Sequence, residues 1–175
     1  SNLGNVYALK GNYPKSLEAY SNAITYNPNN IQTYLNRGLT YSNLGKNAEA
    51  LADMEKALQL SPGMEQAHSL KVRSLLNLTR YPETIEQCNA LLNTFPQNAE
   101  LWFFRGTALI NTSRAQEGIN DINKAIALNP SSGAYHYNIA FGYLQLGNKG
   151  MAQQHTAQAQ KLGFQVPTTF LEQIK

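Results

Sequence analysis

The sequence predicts an all-α fold built from repeated pairs of antiparallel helices, because one pattern returns at a fixed spacing along the chain. Prolines that stand 34 residues apart occur at Pro28, Pro62, Pro96 and Pro130. Small residues share a second slot of the same period at Ala23, Ala57, Ala125 and Ala159. Aromatic or apolar residues share a third slot at Tyr7, Tyr41, Leu75, Leu109 and Tyr143. A constant period of this length without insertions is typical of an array of helical hairpins.

The second repeat, residues 31–64, shows the pattern most completely. The residues that define its pattern are, in order, Tyr34, Gly38, Tyr41, Gly45, Ala50, Met54, Ala57 and Pro62. In these residues the chain resembles the tetratricopeptide repeat family, whose pattern runs from an aromatic residue through Leu-Gly, Tyr, Ala and a second aromatic residue to Pro. The resemblance covers nearly the whole chain. It implies a right-handed superhelical solenoid of antiparallel helix pairs, in which the first helix of each repeat lines the concave wall.

The period predicts a single array over residues 1–175. We expect the repeats at residues 1–30, where the first is truncated, 31–64, 65–98, 99–132 and 133–166, and a capping helix at about 168–175. Each repeat would hold two helices of about 13 residues, each about 20 Å long at 1.5 Å per residue. A proline such as Pro62 ends the second helix because it cannot continue the hydrogen-bond ladder.

The end of the chain departs from the repeat pattern. No proline closes repeat five, and Gly163 fits a left-handed helix terminator instead. Thr169 and Glu172 have the spacing of a capping box. An apolar stripe follows at Phe170, Leu171 and Ile174. These features predict a short terminal helix that covers the open face of repeat five, as the ends of such arrays require.

Repeat three diverges most from the pattern. Val72 stands in the slot of Gly38, and Thr84 stands in the slot of Ala50. Small residues at these slots let two helices approach closely, so larger side chains are predicted to push the helices of repeat three apart or to shift them.

Composition excludes several classes of protein. The formal net charge of +3 is too small to indicate a polyanion binder. The single cysteine, Cys88, excludes an internal disulfide and is interpreted as a packing residue. No apolar run approaches the ~20 residues that a membrane-spanning helix needs, so membrane insertion is not expected. A cytoplasmic location is favoured, and a periplasmic or secreted location is the alternative if an upstream signal has been removed.

Arginine in the slot of Arg37 and aspartate in the slot of Asp53 occur together or not at all in a repeat. Asp53 follows Arg37 by sixteen positions, and Asp121 follows Arg105 by the same number. This spacing predicts an ion pair between the two helices of one repeat, and it argues against a basic stripe for nucleic acid. A second basic row, at Lys46, Arg80 and Arg114, falls in the turns and is interpreted as solvated. Nucleic-acid binding is therefore not expected.

The sequence contains no recognisable catalytic or metal-binding motif. Nucleophile elbows, phosphate loops and paired carboxylates are absent from it, so we predict a protein that is not an enzyme and that carries no cofactor. His68 and His136 occupy equivalent slots of alternate repeats, and His155 lies in a second helix. Because such positions cannot converge on one ion, the histidines are interpreted as packing residues with a polar edge and no metal site is predicted.

The predicted concave wall supplies the candidate binding residues. Family positions of the first helices, carried over to this chain, give Asn36, Leu39, Arg73, Phe103, Phe104, Thr107, Tyr137, Asn138 and Phe141. The aromatic members are the strongest signal, because exposed apolar rings usually mark an interface. In the alternative interpretation, some of these rings pack between repeats four and five or under the terminal helix. Asn36 and Asn138 could each hold a peptide backbone amide and carbonyl.

The resemblance implies a non-catalytic scaffold for protein–protein interaction that takes an extended peptide or a partner helix into the groove. One alternative is a substrate-recruiting arm of a larger enzyme, such as a glycosyltransferase, since Asn2, Asn36 and Asn138 share a slot. Another is self-association through the truncated first repeat. One branch of the family grips a C-terminal carboxylate; the corresponding slots here are Ser1, Asn5, Asn36, Gln66 and Leu70. The asparagines fit and the basic positions do not, which disfavours that mode.

Overall fold

The computed structural model describes residues 2–175, and that range folds entirely into helices, turns and loops. The all-α prediction is confirmed. The helices are α1 (Asn2–Leu9), α2 (Tyr13–Tyr26), α3 (Ile31–Asn43), α4 (Asn47–Leu60), α5 (Glu65–Asn77), α6 (Tyr81–Thr94), α7 (Ala99–Asn111), α8 (Ala115–Leu128), α9 (Gly133–Gln145), α10 (Lys149–Lys161) and α11 (Thr168–Gln173). Among these described helices, none is both long enough and apolar enough to cross a bilayer.

The chain divides into two compact units between Arg80 and Tyr81. Unit one contains α1 to α5, and unit two contains α6 to α11. Within each unit, consecutive helices pack against each other. The division falls between α5 and α6, the two helices of the divergent repeat three. The assignment of residues 1–175 to a single array stays a prediction.

The two helices of a repeat approach closely where the sequence places glycine. A Cβ on Gly38 would collide with the end of the Met54 side chain. In unit two, a Cβ on Gly106 would lie 2.7 Å from the carbonyl oxygen of Gly118, too close for any side chain. A Cβ on Gly118 would in turn collide with the carbonyl oxygen of Gly106. Backbone contact at these crossings explains why the repeat pattern reserves the slots for the smallest residue.

The thiol of Cys88 lies in the core of unit two. The side chain is fully buried, and burial raises its pKa to about 12. A thiol with so high a pKa is almost entirely protonated at neutral pH and is a poor nucleophile. The packing role predicted for Cys88 is confirmed.

The terminal helix covers part of unit two, as predicted. Gly163 has a φ of 80°, which confirms the left-handed end of α10. Phe170 and Ile174 are buried against Ala140 and Ala152. The predicted capping box is wrong, because α11 begins one residue before Thr169, directly after Pro167. The Pro167 carbonyl accepts the backbone N–H groups of Phe170 and Leu171, so the backbone starts this helix without a side-chain cap.

The turn between the two helices of each repeat uses one left-handed residue. This slot is occupied by Gly11, Gly45, Thr79, Ser113 and Gly147, whose φ angles lie between 57° and 73°. Glycine adopts this conformation at little cost, whereas an L-residue with a Cβ is strained there by roughly 1–2 kcal/mol. Thr79 is the most strained type because its side chain is β-branched.

We expect Thr79→Gly to raise the free energy of unfolding by about 0.5–1 kcal/mol, since relief of strain exceeds the entropy that glycine adds to the unfolded chain. Urea titration followed by circular dichroism measures the change. Thr94→Gly is the matched control, because Thr94 is exposed and helical and should lose stability on the same substitution. A loss of stability in both variants would contradict the assignment of strain to Thr79.

Candidate functional site

The predicted ion pair of repeat two is present in unit one. Arg37 donates from Nε to Asp53 Oδ2 at 2.9 Å and from Nη2 to Asp53 Oδ1 at 2.7 Å. Its Nη1 donates to Ser21 Oγ at 3.0 Å, which links α3 to the preceding helix α2. The hydrogen bond to Asp53 raises the pKa of Arg37. All three guanidinium nitrogens therefore have partners inside the protein.

Unit two repeats this arrangement. Arg105 donates to Asp121 from Nε at 2.6 Å and from Nη2 at 2.9 Å, and its Nη1 donates to Asn89 Oδ1 at 2.8 Å. The guanidinium also lies over the Trp102 ring, 4.8 Å from its centroid. Both predicted pairs are confirmed, and their charges are neutralised in place. In repeat three the equivalent Lys71 lies 3.9 Å from the exposed Glu55, a contact of little energetic weight.

Asp53→Asn should lower the free energy of unfolding by about 1.5–3 kcal/mol, because it leaves the mostly buried Arg37 with a weaker acceptor. Thermal and urea unfolding measure the loss. Glu117→Gln is the matched control: Glu117 pairs with Arg114 at 2.7 Å on the surface, so its loss should change stability little. Equal effects of the two substitutions would contradict a special role for the inter-helix pair.

Aromatic residues at the start of the first helices bind the chain that precedes them. Tyr34 Oη donates to the Pro28 carbonyl oxygen at 3.1 Å, and Trp102 Nε1 donates to that of Pro96 at 2.8 Å. His68 Nε2 lies 2.7 Å from the Pro62 carbonyl oxygen. Each bond spans six residues and fixes the entry into the helix. The packing role with a polar edge predicted for His68 is in agreement with this contact.

His136 shares that slot but faces another residue. Its Nδ1 lies 3.1 Å from Nδ1 of His155, across the α9–α10 helix pair. The sequence interpretation compared histidines of different repeats and missed this pair within one repeat. The pair could have been predicted from the slot of His155. That slot holds Asp53 and Asp121 in other repeats, and their side chains contact the first helix of their own repeat.

The groove of unit one contains an open cleft of about 420 Å³. Its lining residues come from α1, α2 and α3, and they are Asn5, Ala8, Leu9, Tyr13, Tyr20, Asn36, Leu39, Thr40 and Asn43. Asn5 Oδ1 accepts hydrogen bonds from Tyr20 Oη at 2.6 Å and from Asn36 Nδ2 at 2.8 Å. Asn36 Oδ1 accepts one from Gln32 at 2.8 Å. The cleft thus has an ordered floor of amides, and each Asn36 amide atom keeps capacity for a further bond.

Two predicted binding residues at the same slot of α3 and α5 differ in character. Leu39 is 37% exposed and lines the cleft. Arg73 occupies the equivalent position of α5, which contacts α3. Its Nε and Nη2 atoms are buried and have no hydrogen-bond partner among the residues that the structure describes. A guanidinium nitrogen that is shielded from water and has no hydrogen-bond partner destabilises the protein. A hydrogen-bond acceptor next to Arg73 would remove this free-energy cost.

The predicted aromatic residues of unit two pack mainly against their neighbours. Phe104 is buried with 5% exposure, and Phe103 lies 4.6 Å from the Tyr135 ring. Tyr137 lies 5.0 Å from Phe164 and 5.2 Å from Phe170, which belongs to the terminal helix. Phe141 also faces Phe170, at 6.3 Å. These contacts correspond to the packing alternative, and a role for the four rings in binding stays a prediction.

The polar members of the unit-two set interact with each other. Thr107 Oγ1 donates to Asn138 Oδ1 at 3.4 Å, and Asn138 Nδ2 donates to the Ala134 carbonyl oxygen at 2.9 Å. Asn36 and Asn138 therefore share a slot without sharing a bonding pattern. The interpretation as an asparagine-lined arm of an enzyme stays a prediction.

Paired helices at a constant period, with close crossings at glycine and a groove along the first helices, define a helical repeat module. Tetratricopeptide repeat models match residues 4–45 and 31–64, and a third matches residues 69–133. These matches together span most of the chain, which belongs to the tetratricopeptide repeat family.

Several curated proteins are similar to part of the chain. Hsp70-Hsp90 organizing protein 3 of Arabidopsis thaliana is 33% identical over 97 residues, which is 55% of this chain and 17% of that protein. The STIP1 homologue of Dictyostelium discoideum is 30% identical over 100 residues, or 57% of this chain and 18% of that protein. The matched segments thus span about a sixth of the length of these relatives.

Solved structures share the fold over a larger part of the chain. MamA from Desulfovibrio magneticus RS-1 has a TM-score of 0.79 at 22% identity, covering 93% of this chain and 92% of that one. A thermophilic TPR protein from Thermus thermophilus has a TM-score of 0.75 at 18% identity, covering 92% of this chain and 88% of that one. At these identities the likeness concerns the fold alone.

Proposed function

We propose that this chain is a non-catalytic protein-interaction scaffold whose unit-one groove binds an extended peptide. The observation that carries the proposal is the open cleft of about 420 Å³, which combines an amide floor with exposed leucine at its edge. Asn5 and Asn36 hold each other in fixed orientations through a hydrogen bond. Their remaining amide donors and acceptors can therefore bind a peptide backbone without a large loss of side-chain entropy. Leu39 offers an apolar contact beside them.

Arg73 gives the proposed peptide a chemical preference. Its Nε and Nη2 atoms are buried and have no hydrogen-bond partner within residues 2–175. If the side chain turns into the groove, a carboxylate of the peptide can accept charge-assisted hydrogen bonds from both. A peptide that carries an acidic side chain or a free C-terminus near Arg73 supplies such a carboxylate. The proposed ligand is therefore an extended peptide with one carboxylate and one apolar residue.

The similarity to chaperone-organising proteins supports a protein ligand but not a particular one. Relatives such as Hsp70-Hsp90 organizing protein 3 are associated by name with Hsp70 and Hsp90. In this chain Leu70 stands where the carboxylate-binding branch of the family has a basic residue, and Arg73 lies three residues further along α5. Residues three apart share a face of a helix, so a carboxylate bound by Arg73 would sit displaced along the groove.

Selection from a displayed library of random peptides tests this proposal. We expect enriched peptides to carry an acidic residue, and we expect Leu39→Glu to abolish their binding because it places a charge on the apolar edge. Leu128→Glu is the matched control: Leu128 is 38% exposed, against 37% for Leu39, but lies on α8 of unit two. Fluorescence anisotropy with the selected peptides gives the affinities.

Arg73→Gln should weaken the selected peptides about tenfold or more, the equivalent of losing a charged hydrogen bond. Arg114→Gln is the control, because Arg114 is exposed and paired with Glu117. Amidated and free C-termini distinguish a terminal carboxylate from an acidic side chain. Affinities that are unchanged by both Leu39→Glu and Arg73→Gln would overturn the proposed groove, and loss with Leu128→Glu alone would move the site to unit two.

A further inference from the structure

The fifth repeat brings two histidines together in a way that the other repeats do not. The Nδ1 atoms of His136 and His155 are 3.1 Å apart, whereas the ring centroids are 5.3 Å apart. Because the nitrogens are much closer than the ring centres, the nitrogen-bearing edges of the two rings face each other. Tyr143 packs against His155, 5.6 Å between centroids, and limits the orientation of that ring.

The spacing of the two nitrogens matches that of two ligands on one metal ion. Nitrogens bound at about 2.0–2.1 Å lie about 2.9 Å apart for a right angle at the metal and about 3.4 Å apart for a tetrahedral angle. The observed 3.1 Å falls between these values. We propose that His136 and His155 form a two-histidine binding site for a divalent transition-metal ion of the kind that prefers imidazole, such as Cu²⁺, Ni²⁺ or Zn²⁺.

The protonation state of the pair suits this role. Burial lowers the pKa of His136, and burial together with the neighbouring His136 lowers the pKa of His155. A lower pKa favours the neutral imidazole, which is the form that binds metals. An Nδ1–Nδ1 hydrogen bond has one proton between the rings. Binding of a metal ion by both Nδ1 atoms requires the ring that carries this proton to change to its Nε2–H tautomer, so both rings stay neutral and no net proton is released.

The position of the pair argues against packing as its only role. At this slot, Tyr34, His68 and Trp102 contact the carbonyl oxygen of the proline six residues earlier. His136 turns instead toward α10. Both histidines are only partly buried, so the pair lies near the surface of unit two.

The site has two protein ligands and leaves the remaining positions to water. No cluster of three or more His, Cys, Asp or Glu side chains that could hold a metal occurs among residues 2–175. Affinity should therefore follow the usual order for imidazole sites, with Cu²⁺ strongest and Ni²⁺ and Zn²⁺ weaker. Mg²⁺, which prefers oxygen ligands, should not bind here. A bound ion would brace α9 against α10.

Calorimetric titration of untagged protein with NiCl₂ and ZnCl₂ at pH 7.5 tests the site. We expect one ion per chain, with affinity about tenfold or more weaker in His136→Gln and in His155→Gln. His68→Gln is the matched control and should leave the affinity unchanged, because His68 contacts the Pro62 carbonyl in unit one. No binding by the wild type, or equal binding by all three variants, would overturn the proposal.

A spectroscopic measurement keeps the test decisive if a variant of the pair fails to fold. In the His68→Gln background, His136 and His155 are the two remaining histidines of the chain. The electron paramagnetic resonance spectrum of that variant with one equivalent of Cu²⁺ should show coupling to two imidazole nitrogens. Coupling to one nitrogen or to none would contradict chelation by the pair.

Discussion

The close crossing of two helices within each repeat is the constraint on which the rest of the structure depends. Backbone meets backbone at Gly106 and Gly118, and at Gly38 the space for a Cβ is filled by the end of the Met54 side chain. The Arg37–Asp53 and Arg105–Asp121 pairs join the same helices by paired hydrogen bonds, and a third bond from each arginine reaches the preceding helix. The two helices of a repeat are therefore fixed relative to each other by both backbone contacts and charged hydrogen bonds.

Local chemistry that repeats with the period was predictable from sequence alone. Helix lengths and the ion pairs follow from residue types at fixed slots, because each feature depends on neighbours within one or two repeats. The terminal helix was predicted from local signals instead, namely a helix terminator at Gly163 and an apolar stripe after it. Start points of short helices were less predictable: α11 begins after Pro167 because backbone carbonyl bonds suffice there, although Thr169 and Glu172 match a capping signature. Thr79 and Ser113 adopt the left-handed backbone conformation at the turn although both carry a Cβ. The position of the turn in the repeat therefore determines the backbone conformation more strongly than the residue type does.

The candidate site was only partly accessible to such reasoning. Asn36 and Leu39, which were selected by their groove slots, line the unit-one cleft, because slot and helix face are linked by the period. Their role in binding stays a prediction. The slot of an aromatic residue does not determine whether its ring is free to contact a ligand or packs against a neighbouring ring. Tyr137, for example, packs against Phe164 and Phe170 of its own chain. The His136–His155 contact depends on side-chain direction across one helix pair, and the buried nitrogens of Arg73 depend on tertiary shielding.

Chemical-shift mapping tests the central claim, that the unit-one groove is the ligand surface, most directly. Isotope-labelled protein is titrated with a selected peptide, and amide and side-chain signals are followed. Concentrated changes on α1, α3 and α5, including the Asn36 side-chain amide and the Arg73 Nε–H, are the predicted result. Changes concentrated on α9 and α11, around Tyr137 and Phe170, or on α4 would contradict it.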